Sequence, residues 1–357
     1  MTSNDSAIHP RSIAVSGTGL AAAAVLCFSF SFPATVWGLS GFGPWALTGL
    51  RGVLAATLAA GCLAVCRVPL PRRADWPALL VVAGGCVVGF PLLTALALQT
   101  SSAAHSAVVI GLLPLATAVA AALRPGATRL PRAFWWAALA GAAVVAGFTL
   151  QQDSGRPSVA DLYLFAALLV CAAGYAEGGR LARRMPGWQV IGWSLVIAFP
   201  VMLAIASMAL VTEPVRLTGH AVAGLVYLGA ISQFGGFVVW YRGMAEIGVP
   251  RASQLQLAQP LLTLVWAALV LGEQLPPAAP AAAVAVACCI AVTQRVRRLR
   301  GLLAVSRFAG GGRRRIRRCR RSGRTPAGAG RSDRRGAGGP ARHPTPAVRR
   351  SRLCQER

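Results

Sequence analysis

Runs of about 20 apolar residues recur along the chain, separated by short breaks that are rich in charged residues, proline and glycine. A helix of about 20 residues crosses the ~30 Å hydrocarbon core of a bilayer. The pattern therefore predicts an all-α integral membrane protein with ten transmembrane helices. The predicted spans lie at about residues 13–36, 44–66, 76–98, 102–123, 133–151, 159–179, 188–211, 219–241, 250–271 and 277–294.

Arginine alternates between abundant and scarce from one connection to the next. Basic residues accumulate in the cytoplasmic loops of membrane proteins. Only Arg156 and Arg216 lie in the connections after odd-numbered spans. Eleven others lie in or beside the connections after even-numbered spans: Arg67, Arg72, Arg73, Arg124, Arg129, Arg132, Arg180, Arg183, Arg184, Arg242 and Arg251. The alternation predicts a multi-pass protein with both termini in the cytoplasm, residues 1–12 included.

Two apolar decamers, 146 residues apart, indicate an internal repeat. PLATAVAAAL at 114–123 and PLLTLVWAAL at 260–269 match at seven of ten positions. The first lies in span four and the second in span nine, so equivalent helices are five spans apart and cross the bilayer in opposite directions. The sequence thus predicts two inverted five-helix repeats, 13–151 and 152–294, a design that secondary transporters use for alternating access.

Pro114 and Pro260 occupy the same position in the two decamers. Proline removes a backbone donor and clashes with the preceding turn, which kinks or breaks a helix. In a bilayer the freed backbone groups must be satisfied by neighbouring helices or by a wet cavity. We interpret the pair as a hinge that lines a cavity, with a shared structural kink as the alternative.

The composition agrees with a membrane protein, and the net charge comes mainly from the C-terminal tail. The chain has 357 residues, 55% hydrophobic and 13% charged, and a formal net charge of +26. Residues 295–357 contain 21 of the 36 basic residues and only two acidic ones. This Gly-, Pro- and Arg-rich segment is predicted to be disordered and to attract anionic lipids. Nucleic-acid binding and a translated non-native reading frame are the alternatives.

Three stretches of the chain resemble the EamA-like branch of the drug/metabolite transporter superfamily. They are DLYLFAALLVCAAGYAEGGRLARRMPGWQVIGW at 161–193, WYRGMAEIGVPRASQLQLAQP at 240–260 and QPLLTLVWAALVLGEQL at 259–275. The resemblance covers about 13–294. It implies a ten-helix protein of the bacterial inner membrane, without cofactor, that exports small metabolites such as amino acids, amines or drug-like solutes. It also implies the proton as coupling ion.

The family often ends the fourth span of each repeat in a Gly-Glu pair. Gly272 and Glu273 match this pattern in the second repeat, whereas Ala127 stands at the equivalent position of the first. Because the second glutamate is missing, the chain does not support a symmetric role for paired glutamates. We interpret Glu273 as a structural cap at the outer interface, with a transport role as the alternative.

Arg51 lies well inside the second predicted span, about seven residues from its start. An arginine inside a bilayer costs roughly 2.5–3.5 kcal/mol on insertion scales and usually faces a cavity or a partner. One hypothesis is that Arg51 binds an anionic group of the substrate, such as a carboxylate, in a bidentate fork. The alternatives are a structural ion pair or snorkelling toward the headgroups.

The polar residues of span nine share one helical face. Ser253, Gln256, Gln259 and Thr263 are spaced by three, three and four residues, and such spacing places side chains on one side of a helix. The equivalent positions in span four are mostly apolar. We therefore predict that the second repeat supplies most polar contacts to the substrate, with interhelical hydrogen bonding as the alternative.

Span eight carries Gln233 and Phe237 four residues apart on one face, with Trp240 three residues further on. An amide beside an aromatic wall would suit a small amphipathic solute; core packing and the interface belt are the alternatives, especially for Trp240. Glu177 is a candidate coupling carboxylate, or else a surface partner of Arg180. His105, near the predicted outer face, is expected to be solvated, with a role in proton binding as the alternative.

The leading prediction is a secondary active exporter of small molecules. A membrane-embedded transferase needs a clustered catalytic set, and the chain contains no such grouping and no phosphate-binding GxxxxGK[ST] loop. Its scattered histidines and cysteines form no metal-ligand spacing, so no metal site is predicted. A channel is a further alternative, distinguishable because only a carrier shows saturable counterflow. The sequence predicts neither the substrate nor the oligomeric state.

Overall fold

The computed structural model describes residues 17–123, 132–152, 158–247, 255–289 and 291. These residues form helices and connections, with no strand among them. The helices are α1 (Gly17–Leu39), α2 (Pro44–Val65), α3 (Arg73–Ala97), α4 (Ala103–Ala122), α5 (Arg132–Gln152), α6 (Val159–Leu181), α7 (Gly187–Thr212), α8 (Gly219–Val226, Tyr227–Gly236 and Phe237–Ile247), α9 (Gln256–Leu271) and α10 (Ala278–Cys289).

Seven of the described helices are long and apolar enough to cross a membrane: α1 to α4 and α6 to α8. The other three contain shorter apolar stretches, at Leu139–Phe148, Gln256–Leu271 and Ala278–Cys289. A helical segment lies within each predicted span. The signals that predict a span, an apolar run with charged or Pro/Gly-rich ends, come from neighbouring residues and do not depend on distant parts of the chain. The N-terminal residues 1–12 and the tail at 295–357 lie outside the described residues.

Helices α2 and α7 pack closely and run antiparallel. A Cβ atom added at Gly49 would lie 2.5 Å from the backbone nitrogen of Ala206, so only glycine allows this approach. At the start of α2, the backbone N–H groups of Trp45 and Ala46 donate to the carboxylate of Glu213, just beyond the end of α7. Small residues permit such contact between helices in a bilayer.

Helices α4 and α9 also lie side by side in opposite directions. Gly111 in α4 approaches Pro260 in α9, with 3.6 Å between a Cβ built at Gly111 and that of Pro260. At the start of α4, the N–H groups of Ala103 and Ala104 donate to Glu273, at 2.9 and 3.1 Å. Glu273 thus caps α4, the structural role predicted for it, and a carboxylate here also complements the helix dipole.

Helices α3 and α8 each contain a π-helical turn, at Ala83–Gly89 and Tyr227–Gly236. Adding the 146-residue offset of the decamers to the first range gives residues 229–235, which lie within the second range. The amide Nε2 of Gln233 donates to the backbone oxygen of Val87 over 3.3 Å, and these residues are also 146 positions apart. The two turns therefore meet at equivalent positions, and π-helical turns are frequent at functional sites.

Candidate functional site

The candidate site is a cleft where α1, α4 and α9 meet. It contains about 310 Å³ of space unfilled by protein atoms, counting the part open to solvent. Pro114 and Pro260, the matched prolines of the repeated decamers, both line it. The complete lining is Phe32, Ala107, Ile110, Gly111, Leu113, Pro114, Gln256, Gln259, Pro260 and Thr263.

All three helices depart from regular α-helix beside the cleft. Helix α1 is interrupted at Phe30, and α4 between Ile110 and Leu113. Helix α9 begins with a 3₁₀ turn at Gln256–Ala258, immediately before its α-helical part. Pro114 and Pro260 each occupy the first turn of the helical segment that follows the break, where proline costs no hydrogen bond. The structure therefore places both prolines at helix breaks.

Helix α9 supplies hydrogen bonds at the break in α1. Thr263 donates from Oγ1 to the backbone oxygen of Ser29 over 2.8 Å, and Trp266 donates from Nε1 to the Ser29 hydroxyl over 3.0 Å. Such bonds matter because an unsatisfied backbone group in a bilayer costs several kcal/mol. Thr263 and Trp266 thus stabilise the broken α1 next to the cleft. The threonine shares its helical face with the predicted polar residues.

The polar part of the cleft comes from α9, where the sequence predicted it. Gln256 is buried and Gln259 is half-buried. The side chain of Gln256 lies beside that of Tyr175 in α6. Ser253, the fourth residue of the predicted face, lies outside the described residues. The corresponding α4 wall is apolar, so the second half of the chain presents the hydrogen-bonding groups.

Gln233 and Phe237, predicted to form a substrate wall, do not line the cleft. Gln233 is buried and donates to the carbonyl of Val87. Phe237 packs in an aromatic cluster, with its ring centroid 5.1 Å from that of Phe28 and 6.1 Å from that of Tyr175. The cluster adjoins the site indirectly, because Tyr175 also lies beside Gln256. Their spacing indicated a shared face without showing which neighbour that face would meet.

Arg51 is 7% exposed and likewise does not line the cleft. Its Nε atom is buried without a hydrogen-bond partner among the described residues, and so is the Oγ1 atom of Thr48 one turn earlier on α2. No ion pair to Arg51 is formed within the described part of the chain. A buried donor without an acceptor is costly. Arg51 and Thr48 therefore form a second polar position, in α2, that lacks an acceptor.

Glu177, the candidate coupling residue, forms an ion pair in the structure. Its Oε2 atom accepts from the Nε atom of Arg180 over 2.9 Å. The carboxylate is buried, whereas the arginine side chain is 39% exposed. This is the partner that the i, i+3 spacing suggested.

His105 differs from the sequence expectation. It is 7% exposed rather than solvated, and its Nε2 atom lies 2.7 Å from Oδ1 of Asp161, which is 1% exposed. The two residues are 56 positions apart on different helices, so no local pattern connects them. The sequence did offer a sign that Asp161 has a structural role. An acidic residue in the first turn of an apolar span, three residues after Ser158, is typical of a capping box.

Known proteins resemble this chain over nearly all of its helical part. The EamA-like transporter family matches residues 15–150 and again residues 158–294. A Bacillus subtilis protein described as "Uncharacterized transporter YdeK" is 45% identical over 271 residues, covering 76% of this chain and 94% of that protein. The "Probable terminal-alkyne amino-acid exporter" of Streptantibioticus cattleyicolor is 28% identical over 269 residues, covering 71% of this chain and 85% of that one.

A solved structure supports the fold alone. It is described as "Crystal structure of protein", superposes with a TM-score of 0.54 at 24% identity, and covers 78% of this chain and 97% of its own. The family match extends over both halves of the helical region and agrees with the apolar helices of the structure. The chain is an integral membrane protein and belongs to the EamA-like transporter family.

Proposed function

We propose that this transporter is a secondary active exporter of small polar or amphipathic metabolites, working by alternating access in the bacterial inner membrane. The observation that carries the proposal is the cleft at the antiparallel α4/α9 contact, where Pro114 and Pro260 meet the amides of Gln256 and Gln259. Broken helices around a polar site near the midplane are the form that such sites take in secondary transporters.

The proposal includes ten crossing helices arranged as two inverted repeats, residues 13–151 and 152–294. Three observations support it. The family match occurs twice along the chain. Helices five positions apart, α2 with α7 and α4 with α9, run antiparallel against each other. The π-helical turns of α3 and α8 meet through residues that are 146 positions apart. With both termini in the cytoplasm, α2 and α4 begin at the outer end of the protein.

The residues favour a substrate that carries both a hydrogen-bonding group and an anionic group. Gln256 and Gln259 offer amides within the cleft, and Arg51, which does not line the cleft, offers a buried guanidinium without a partner among the described residues. A carboxylate fits a guanidinium through two parallel hydrogen bonds. The relative named as an amino-acid exporter agrees with this chemistry. We therefore propose amino acids and related carboxylates as the substrate class, exchanged for protons.

An efflux experiment tests this proposal. Cells that lack their own amino-acid exporters are loaded with radiolabelled amino acids and amines, and the rate of release is compared with and without the transporter. Loss of one hydrogen bond is worth ~0.5–1.5 kcal/mol, so Gln256→Ala should slow release by about two- to tenfold. Gln189→Ala, at the start of α7 and outside the cleft, serves as the matched control.

Each result has a defined meaning, provided that immunoblots show equal amounts of transporter in the membrane. Faster release of one chemical class, slowed by Gln256→Ala and unchanged by Gln189→Ala, supports export through the cleft. Release that equals the empty-vector rate for every compound contradicts the export proposal. Equal rates for wild type and Gln256→Ala would remove the cleft from the transport path.

A further inference from the structure

His105 and Asp161 join the two proposed repeats at the end of the protein where α4 and α6 begin. The imidazole Nε2 and the carboxylate Oδ1 are 2.7 Å apart, and both side chains are buried. The ring also stacks on Phe148 of α5, with centroids 5.4 Å apart and planes inclined by 30°. A polar pair buried between apolar helices holds those helices together at one place, because each group loses its hydrogen-bond partner when the helices separate.

The hydrogen bonds of Asp161 determine where a proton can bind. Its Oδ2 atom accepts from both the backbone N–H and the hydroxyl of Ser158, each at 3.0 Å. Its Oδ1 atom faces Nε2 of His105. Because both Ser158 groups donate to this carboxylate and favour its ionised form, we assign the hydrogen of the bond between the two side chains to Nε2. One further proton adds to His105 at Nδ1, and no existing hydrogen bond breaks.

The charges around the pair determine whether that proton stabilises the contact between α4 and α6. Glu273 of α9 caps the first N–H groups of α4 beside the pair. Phe148 is the facing group of α5, whose only charged residue in its described part is Arg132 at the opposite end. The outer half of α1 has no ionisable side chain, and Tyr163 is the nearest other titratable residue on α6. Among the described residues, the pair without the proton carries a net charge of −1 and lies at the helix end that Glu273 caps.

We propose that His105 and Asp161 form a proton-binding latch that holds the outer ends of α4 and α6 together. Protonation neutralises a buried negative charge in the closed form, whereas in an open form water would solvate both groups. In this proposal the Asp161 carboxylate attracts the imidazolium only while the two groups are in contact, so protonation shifts the equilibrium toward the closed form. External acid closes this end, and a neutral or alkaline exterior releases it. The inference rests on the proposed alternating-access function.

Cysteine accessibility tests the latch without any transport measurement. Ser106 is buried beside His105, and its hydroxyl has no partner among the described residues, so Ser106→Cys removes no hydrogen bond there. Ser40→Cys, an exposed position between α1 and α2, serves as a reference for the effect of pH on thiol chemistry. Intact cells are labelled from outside with a membrane-impermeant maleimide, and labelling of the native cysteines is subtracted.

The ratio of the Ser106→Cys rate to the Ser40→Cys rate should fall when external pH is lowered from about 8 to about 5, the range in which histidine titrates. A fall of at least about fivefold is expected, since that is the lower end of typical coupling between sites. Adding His105→Gln should abolish the pH dependence of the ratio, because glutamine keeps a hydrogen-bond donor but does not titrate. Ala104→Cys is a second reporter at the same helix end.

The latch is overturned if the ratio depends on pH as strongly with His105→Gln as it does without that substitution. It is also overturned if the ratio is independent of pH in the wild-type background. The result is separable from the export proposal. Efflux without pH-dependent labelling rejects the latch alone, whereas pH-dependent labelling without efflux of any compound rejects the export proposal and retains a proton-sensitive conformational change.

Discussion

At the residue scale, the structure separates polar groups that stabilise helices from polar groups that lack partners. Thr263, Trp266 and Glu273 satisfy backbone or side-chain groups at helix breaks and helix ends. Arg51 and Thr48 have buried polar atoms without an acceptor in the described chain. The first group explains how broken helices persist in a bilayer. The second group costs free energy on folding, and it is the group to which the export proposal assigns a substrate carboxylate.

Replacement of Arg51 by leucine should separate stability from transport. Insertion scales assign an arginine within a bilayer a cost of ~2.5–3.5 kcal/mol. Arg51→Leu should therefore leave the unfolding temperature of the detergent-purified protein unchanged or raise it, while abolishing efflux of carboxylate substrates. Arg67→Leu, at an exposed arginine just beyond the C-terminal end of α2, is the control. A lower unfolding temperature for Arg51→Leu would instead show that Arg51 has a structural partner.

At the element scale, the helices next to the cleft are broken at matched places. Pro114 follows the interruption of α4, and Pro260 follows the 3₁₀ turn of α9. Helices α3 and α8 carry equivalent π-helical turns. Irregular backbone of this kind has fewer regular hydrogen bonds to lose when a helix bends. The contact regions between the proposed repeats are therefore where we expect the movement of alternating access to occur.

The matched prolines give a direct test of this expectation. Pro260→Ala restores a backbone donor and allows the 3₁₀ turn to become regular α-helix. We expect the efflux rate to fall about tenfold, which corresponds to ~1.4 kcal/mol in the barrier, with equal or greater thermal stability. Pro200→Ala, in the middle of α7 at an exposed position, should leave efflux unchanged. Equal effects of the two substitutions would reject a special role for Pro260.

At the scale of the whole molecule, the sequence predicted where helical segments lie, seven of which are long and apolar enough to cross a membrane, but it did not predict most of the contacts between them. The bilayer imposes one length on every span, so apolar runs and arginine-rich breaks located the helices. The repeated decamers indicated the helices that meet at the cleft. In contrast, the π-helical turns and the His105–Asp161 pair depend on neighbours from distant parts of the chain. Gln233 and Phe237 illustrate the same limit, since their shared face meets other helices instead of the cleft.

Counterflow in proteoliposomes tests the central proposal, an alternating-access exporter, most directly. The purified transporter is reconstituted, the vesicles are filled with an unlabelled substrate identified in the efflux experiment, and uptake of trace labelled substrate is followed over time. A carrier should show a transient accumulation of label that saturates with internal substrate and disappears with Arg51→Leu. Uptake that does not depend on internal substrate, together with a current that is proportional to voltage, would contradict alternating access and indicate a channel.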